Sequence, residues 1–167
     1  MYYHYDDDEV PEEMKAEVNA AINTGLFTPR GAYELVAMSF FVVHPIEAFG
    51  FTPVPKGCYL SASKTGFVTG YQASPVQKYC QDERIRRYFW GGAYNIPIKA
   101  VAALAYRRLR WEANHEPFKD DYLTGEGETY DQAEIKRLKE KAGWDWTAEE
   151  CWEYLRKIRG PKDESKH

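Results

Sequence analysis

Metal-binding and disulfide-forming residues are scarce in this sequence of 167 residues. The three cysteines, Cys58, Cys80 and Cys151, form no Cys-x-x-Cys pair, which argues against a zinc ribbon and a thioredoxin-type redox motif. The four histidines form no His-x-x-x-His or His-Glu-x-x-His pattern. We therefore expect no metal site, no cofactor and no Cys-His catalytic pair, and we interpret the cysteines as reduced thiols of a cytoplasmic protein.

Long hydrophobic runs are also missing. The longest apolar stretch, Leu35 to Val43, is about half as long as the ~20 residues that a membrane-spanning helix needs. The chain opens with tyrosines and an acidic run, Asp6 to Glu9, whereas a secretory signal needs a basic start and an apolar segment. These features predict a protein with no membrane partner and no cleavable signal.

Length and composition are those of one globular domain, because the chain falls within the ~100–200 residues of a typical domain. It is 44% hydrophobic and 29% charged, which is typical of a folded protein rather than a disordered or fibrous one. We predict a single globular domain over residues 1–160 and a polar C-terminal tail over residues 161–167.

Helix-start and helix-stop signals predict about six helices. Thr28-Pro29 combines an N-cap residue with a proline in the first turn. The apolar run that follows, to about Val43, predicts that this second helix lies at the centre of the core. Three capping boxes and the N-cap candidate Asn95 begin the last four helices. The predicted helices cover residues 8–25, 28–43, 74–89, 95–109, 129–143 and 147–160.

Between the second and third helices the sequence predicts a β-hairpin. Residues 57–62 and 66–71 are two β-prone segments that flank the polar turn Ser63-Lys64-Thr65. Because a lone hairpin is only marginally stable, it must pack on the helices or pair with another strand. The expected fold is therefore α+β and predominantly α. It has about six helices around an apolar central helix and one small hairpin or small sheet between helices two and three.

The turn of this hairpin carries a motif that we interpret as coincidence. Ser61-x-x-Lys64 and Lys64-Thr65-Gly66 match two motifs of the penicillin-recognising serine enzymes. In those enzymes the two motifs lie on different elements and face each other across a cleft, whereas here they share Lys64 in one turn. The Ser-x-x-Lys motif should also open a helix, and this one is predicted to end a strand.

Aromatic residues are abundant, at 16% of the chain, and the basic residues are segregated. Since each aromatic side chain buries roughly 150–250 Å², a domain of this size cannot bury all of them. Exposed tyrosine, tryptophan and arginine are typical of interfaces. No acidic residue lies between Glu83 and Glu112, and arginines alternate with aromatics at both ends of that window. The predicted partner-binding residues are Arg84, Arg86, Arg87, Trp90, Tyr106, Arg107, Arg110 and Trp111.

Two other interpretations of these arginines stay open. Their charged ends can be solvated, or paired with carboxylates of the same chain such as those of the acidic loop at Glu126 to Glu128. Arginine beside tyrosine and tryptophan also suits phosphate contact and base stacking. A net charge of −4, however, is unlike the basic surface of most nucleic-acid-binding domains.

The leading hypothesis is that the chain binds another macromolecule, and most favourably a protein, through this arginine and aromatic segment. Such small proteins suit the role of an inhibitor or adaptor, including proteins encoded by phages or other mobile elements, although no motif indicates that origin. One alternative is a nucleic-acid-binding protein that uses the same segment. The other is a small enzyme, which we favour less because no catalytic set is readable, and which predicts a concave pocket of titratable residues.

Overall fold

A computed structural model describes residues 10–47, 52–117 and 122–159. Within these residues the chain forms seven helices and a four-stranded antiparallel sheet, so the predicted α+β and mostly helical class is confirmed. The helices are α1 (Glu12–Asn23), α2 (Pro29–Met38), α3 (Ala62–Thr69), α4 (Ala73–Gln81), α5 (Ile98–Asn114), α6 (Gln132–Ala142) and α7 (Ala148–Arg159). The strands are β1 (Phe40–Val42), β2 (Gly57–Ser61), β3 (Tyr88–Trp90) and β4 (Ala93–Pro97).

The sheet has the strand order β1-β2-β4-β3, and each neighbouring pair is antiparallel. Its register places Phe40 opposite Tyr59, Tyr59 opposite Pro97, and Tyr88 opposite Asn95. Because successive side chains of a strand point to opposite faces, these residues share one face of the sheet. That face carries most of the aromatic side chains of the strands.

The other face of the sheet packs on the helices. Leu60 and Ile96 lie opposite each other on it, and both are fully buried in the main core. The longest helix, α5, has nine buried residues and forms the centre of this core. Because α5 takes the central place, the prediction that the second helix is the central one is wrong. The end of that second helix reaches the surface, where Met38 is 48% exposed.

The second helix is also shorter than predicted. It ends at Met38 rather than near Val43, and the next residues form strand β1. Ser39 has an extended backbone, and its hydroxyl donates a hydrogen bond to the carbonyl oxygen of Leu35. The periodicity of a short apolar run does not distinguish a helix from a strand. The aromatic and β-branched residues of this run favour a strand.

The predicted hairpin over residues 57–71 is half right. Gly57–Ser61 is a strand, but the segment after it is helix α3. The Ser61 hydroxyl caps this helix by accepting a hydrogen bond of 3.2 Å from the backbone N–H of Lys64. Ser61 thus ends a strand and opens a helix at once, so the prediction that the Ser-x-x-Lys segment does not open a helix was wrong. Its hydroxyl serves here as an N-cap.

A hairpin does occur at residues 88–97, where the sequence predicted the end of one helix and the start of another. Helix α4 ends at Gln81, and Asn95 lies in strand β4 instead of capping a helix. Gly91 and Gly92 connect the strands with φ angles of +63° and +79°. Two consecutive residues with positive φ are typical of the tightest hairpin turn. From the sequence we predicted a break between two helices at this glycine pair and did not predict a hairpin turn.

The capping predictions near the C-terminus are confirmed in part. Thr147 caps α7 and exchanges hydrogen bonds with Glu150, as a capping box requires. Gly143 ends α6 in the left-handed conformation. Helix α6, however, is capped by the Asp131 carboxylate rather than by Thr129. The predicted C-terminal tail lies outside the described residues. None of the helices in the described part of the chain is both long and apolar enough to cross a membrane.

Candidate functional site

The predicted partner-binding residues divide into three groups. Arg84, Arg86, Arg87 and Trp90 lie before or on β3. The other four residues lie on α5 and form two pairs, each with its members four residues apart. Tyr106 and Arg110, four residues apart, lie on the side that faces α6. Arg107 and Trp111 complete the set on α5.

Arg84 is linked to α5 through two tyrosines. Its guanidinium lies 4.9 Å from the centre of the Tyr79 ring, and Tyr79 makes an edge-to-face contact with Tyr71 at 6.3 Å. The Arg108 guanidinium lies 5.5 Å from the Tyr71 ring. This series of contacts connects the two arginine segments. The predicted set left out Arg108, Tyr71 and Tyr79, although Arg108 stands in the sequence window that identified the set.

Several of the predicted arginines pair with carboxylates of the same chain. Arg86 lies 3.4 Å from Glu126, and Arg87 lies 3.3 Å from Glu83. Arg87 also donates a hydrogen bond of 2.9 Å to the carbonyl oxygen of Cys80. Guanidinium groups engaged in this way are less available to phosphates.

Tyr106 and Arg110 belong to a polar cluster between α5 and α6. The Tyr106 hydroxyl donates a hydrogen bond of 2.9 Å to Glu134, and burial together with this bond raises its pKa to about 12. Arg110 lies 5.6 Å from the Tyr106 ring and forms an ion pair of 2.6 Å with Glu116. Tyr130 packs edge-to-face on Tyr106 at 5.5 Å. The contacts of this cluster position one helix against another, and its ion pair of Arg110 with Glu116 stays partly exposed.

The most open of the predicted aromatic residues are the two tryptophans. Trp90 is 40% exposed and Trp111 is 46% exposed. Trp111 contacts His115, one helical turn further along the chain, edge-to-face at 5.4 Å. Trp90 instead belongs to a larger group of rings on the sheet.

Four aromatic side chains form what we call the outer aromatic face of the sheet: Phe40, Tyr59, Tyr88 and Trp90. Phe40 stacks on Tyr59 at 5.6 Å and contacts Trp90 at 5.3 Å, and Tyr88 meets Tyr59 edge-to-face at 5.7 Å. Tyr59 is buried, Phe40 and Tyr88 are half-buried, and Trp90 is exposed. The rings therefore form one continuous surface that opens to solvent at Trp90.

Neighbouring residues cover the buried end of this face. Ile46 and Val54 pair through two backbone hydrogen bonds of 2.9 and 2.8 Å, and fully buried Val54 packs with Tyr59 and Val42. Burial raises the pKa of the Tyr59 hydroxyl, and the charge of Arg86 opposes this shift. Arg86 is thus close enough to the face to influence its most buried polar group.

The hairpin that carries Trp90 is held by a buried side chain. The Asn95 amide donates hydrogen bonds of 3.1 Å to the carbonyl oxygen of Trp90 and 3.2 Å to that of Ala93. Phe89, on the opposite side of the hairpin, is 38% exposed and contacts Tyr94 edge-to-face at 5.5 Å. The backbone on both sides of the glycine turn is therefore fixed, which presents Trp90 in one orientation.

A cleft lies elsewhere on the molecule, lined by residues from positions 23–25 and from the segment between 132 and 149. It contains the buried Lys139 and the stacked rings of Trp144 and Trp146. The sequence analysis missed these residues. Lys139 resembles any other lysine of a polar helix face, and the cleft forms only when distant segments pack together.

The three cysteines are free and buried. Burial raises the pKa of Cys80 to about 11 and that of Cys151 to about 12, and it also raises the pKa of Cys58. These thiols are therefore protonated at neutral pH and are poor nucleophiles. Within the described residues, no group of three or more His, Cys, Asp or Glu side chains is arranged to hold a metal ion.

Comparisons with known protein families, with curated proteins and with solved structures found no match for this chain.

Proposed function

We propose that this protein binds another protein through the outer aromatic face, with Trp90 as the central contact. The observation that carries the proposal is the exposure of this tryptophan at the open end of a continuous group of rings. The partner that fits such a surface offers an apolar pocket large enough for an indole ring. Tryptophan in such pockets is among the residues that dominate binding energy at interfaces.

The rigidity of the hairpin supports this assignment. Trp90 is positioned by ring contact with Phe40 and by the Asn95 hydrogen bond to its own carbonyl group. A side chain that is already ordered loses little conformational entropy on binding, so more of its contact energy appears as affinity. Preorganisation of this kind favours a tight and specific interaction.

The charge arrangement supports a protein partner over a nucleic acid. Arg86, Arg87 and Arg110 each form an ion pair with a carboxylate of the same chain. Nucleic-acid binding depends on guanidinium contacts to phosphate and would require these pairs to be exchanged. The pair of Arg86 with Glu126 lies at the edge of the outer aromatic face. It belongs to the polar rim that typically surrounds the apolar centre of an interface.

The role that best fits a small partner-binding domain is that of an inhibitor or adaptor in the cytoplasm. The three buried, free thiols support a reducing compartment. An origin in a phage or another mobile element is part of the same hypothesis, and no motif of the sequence indicates it.

Affinity capture from a lysate of the source cells tests the proposal. The tagged chain, Trp90→Ala and Trp111→Ala are compared, each with and without nuclease. Trp111 is a matched control because it is a similarly exposed tryptophan on another element. The proposal predicts a near-stoichiometric protein that survives nuclease, is retained by Trp111→Ala and is lost with Trp90→Ala. Loss of all retained material after nuclease would favour the nucleic-acid alternative instead.

A further inference from the structure

A cleft of about 520 Å³ lies between the α1–α2 turn, helix α6 and the beginning of helix α7. This volume falls within the ~300–1,000 Å³ that is typical of small-molecule sites. None of the residues that line it belongs to the outer aromatic face. An inference about this cleft is therefore independent of the proposed function.

A buried ammonium group lies in the cleft. Lys139 is 7% exposed, and its ammonium donates hydrogen bonds to the carbonyl oxygens of Gly25, at 2.8 Å, and of Trp146. A lysine ammonium has three N–H donors, so these bonds leave one donor over. Among the described residues no carboxylate forms an ion pair with Lys139. A buried charge is normally paired, and this one has only neutral partners.

A second buried donor belongs to a residue that lines the same cleft. The indole N–H of Trp146 is buried and has no acceptor among the described residues. Its ring stacks on Trp144 at 4.9 Å, whose own N–H donates to Glu112 at 2.5 Å. The Lys139 ammonium lies 5.3 Å from the centre of the Trp146 ring. The ammonium and this indole ring therefore lie next to each other in the lining of the cleft.

The other charges of the cleft disfavour a ligand with more than one negative charge. The lining includes the exposed carboxylates Glu140, Asp145 and Glu149, together with Lys136 and Lys139. With three carboxylates and two lysines, the lining has no excess of positive charge that could balance a phosphate group with two negative charges. The indole rings supply an apolar wall that suits a flat organic group.

We propose that this cleft binds a small aromatic monocarboxylate. Its carboxylate accepts hydrogen bonds from the Lys139 ammonium and the Trp146 indole, and its flat body lies against the tryptophan rings. Burial lowers the pKa of Lys139, while Cys151, Glu150, Glu149 and Asp145 act in the opposite direction. A bound carboxylate would further favour the charged form of the lysine.

Titration of the full chain with two matched probes tests this proposal. The probes are 2-naphthoate and the neutral 2-naphthamide, which share one flat body. Binding is followed by the indole N–H signals in proton–nitrogen correlation spectra. We expect 2-naphthoate to shift the Trp144 and Trp146 signals to saturation, to leave Trp90 and Trp111 unchanged, and to bind at least tenfold more tightly than 2-naphthamide. Equal affinities, or no saturable shift of these two signals, would overturn the proposal.

Two variants then test the assigned donors. Lys139→Met should abolish the preference for the carboxylate. Lys141→Met, at an exposed lysine of the same helix that does not line the cleft, should keep it. Trp146→Phe retains a flat ring without an N–H, and it should weaken 2-naphthoate at least threefold without changing 2-naphthamide. If Lys139→Met does not fold, Trp146→Phe decides the outcome. A preference that survives in every folded variant, or that disappears with Lys141→Met, would contradict the assignment.

Discussion

The Lys139 ammonium donates a 2.8 Å hydrogen bond to the carbonyl oxygen of Gly25, 114 positions earlier in the chain. The same ammonium donates to the carbonyl oxygen of Trp146, so one side chain joins the α1–α2 turn to the α6–α7 turn. The Gly25 backbone, with φ at +72°, bends the chain at this point. Lys139 thus has a structural role whether or not the cleft binds a ligand.

Replacement of Lys139 by methionine should lower the free energy of unfolding by about 2 kcal/mol, because buried carbonyl groups lose their donor. Removal of the buried charge offsets part of that loss. Urea unfolding followed by circular dichroism measures the change. Lys136→Met, on the exposed side of the same helix, should change stability by less than about 0.5 kcal/mol. Equal effects of the two substitutions would show that the link between the turns contributes nothing.

Gly66 should not tolerate a larger residue. A Cβ atom at this position would lie 2.2 Å from the carbonyl oxygen of Gln72 and 2.7 Å from the backbone nitrogen of Ala73. Gly66→Ala should therefore separate α3 from α4 and cost about 2–3 kcal/mol of unfolding free energy. The control is Gly57→Ala, whose Cβ would meet Tyr59 at an ordinary 3.5 Å. Thermal unfolding of both variants checks this, and similar melting temperatures would refute the close packing.

The acid dependence of stability should include a contribution from Glu17. Burial raises the pKa of this carboxyl above its ordinary value of 4.5, and Glu126 adds to the shift, whereas Cys58 and Lys99 oppose it. The folded state therefore binds more protons than the unfolded state at pH values between the two pKa values. The contribution is complete below the unfolded pKa and is lost as the pH rises through the folded pKa.

The measurement is the difference in unfolding free energy between the wild type and Glu17→Gln, taken at steps from pH 4 to pH 7. The wild type should gain stability relative to this variant as the pH falls. A difference that stays constant across the series would show that the folded-state pKa of Glu17 is not raised.

The turn that presents Trp90 should depend on positive φ at Gly91. Asparagine adopts this conformation readily, so Gly91→Asn should keep the hairpin and partner binding. Valine does not, and Gly91→Val should cost about 1–2 kcal/mol and weaken partner binding at the same time. Equilibrium unfolding and binding assays of both variants check this pair. Tight partner binding by Gly91→Val would show that the orientation of Trp90 is not set by the turn.

Features encoded locally in the sequence were predicted in part, since Asn95 and Thr129 do not cap helices. Thr28-Pro29, Thr147 and Gly143 mark helix boundaries because their effects act on the adjacent turn of backbone. Pairing between distant segments was not predictable in this way. Phe40 lies in a strand because Tyr59 pairs with it, which no local pattern reports.

The binding role of the predicted site residues stays a prediction. The tryptophan at position 90 is exposed, as an interface residue should be, but the rings around it come from β1 and β2, which the sequence analysis did not connect with it. The ion pair of Arg86 with Glu126 matches the pairing with the acidic loop that stayed open from the sequence, whereas Arg110 pairs with Glu116, which was not predicted. Composition identifies such residue types, and only tertiary packing decides which of them remain available.

The affinity of the captured partner for Trp90→Ala, measured beside Trp111→Ala by biolayer interferometry at two salt concentrations, tests the central claim most directly. We predict that Trp90→Ala weakens binding at least 30-fold, about 2 kcal/mol, with little dependence on salt, and that Trp111→Ala binds like the wild type. Unchanged affinity of a folded Trp90→Ala protein would contradict the claim that the outer aromatic face is the binding surface.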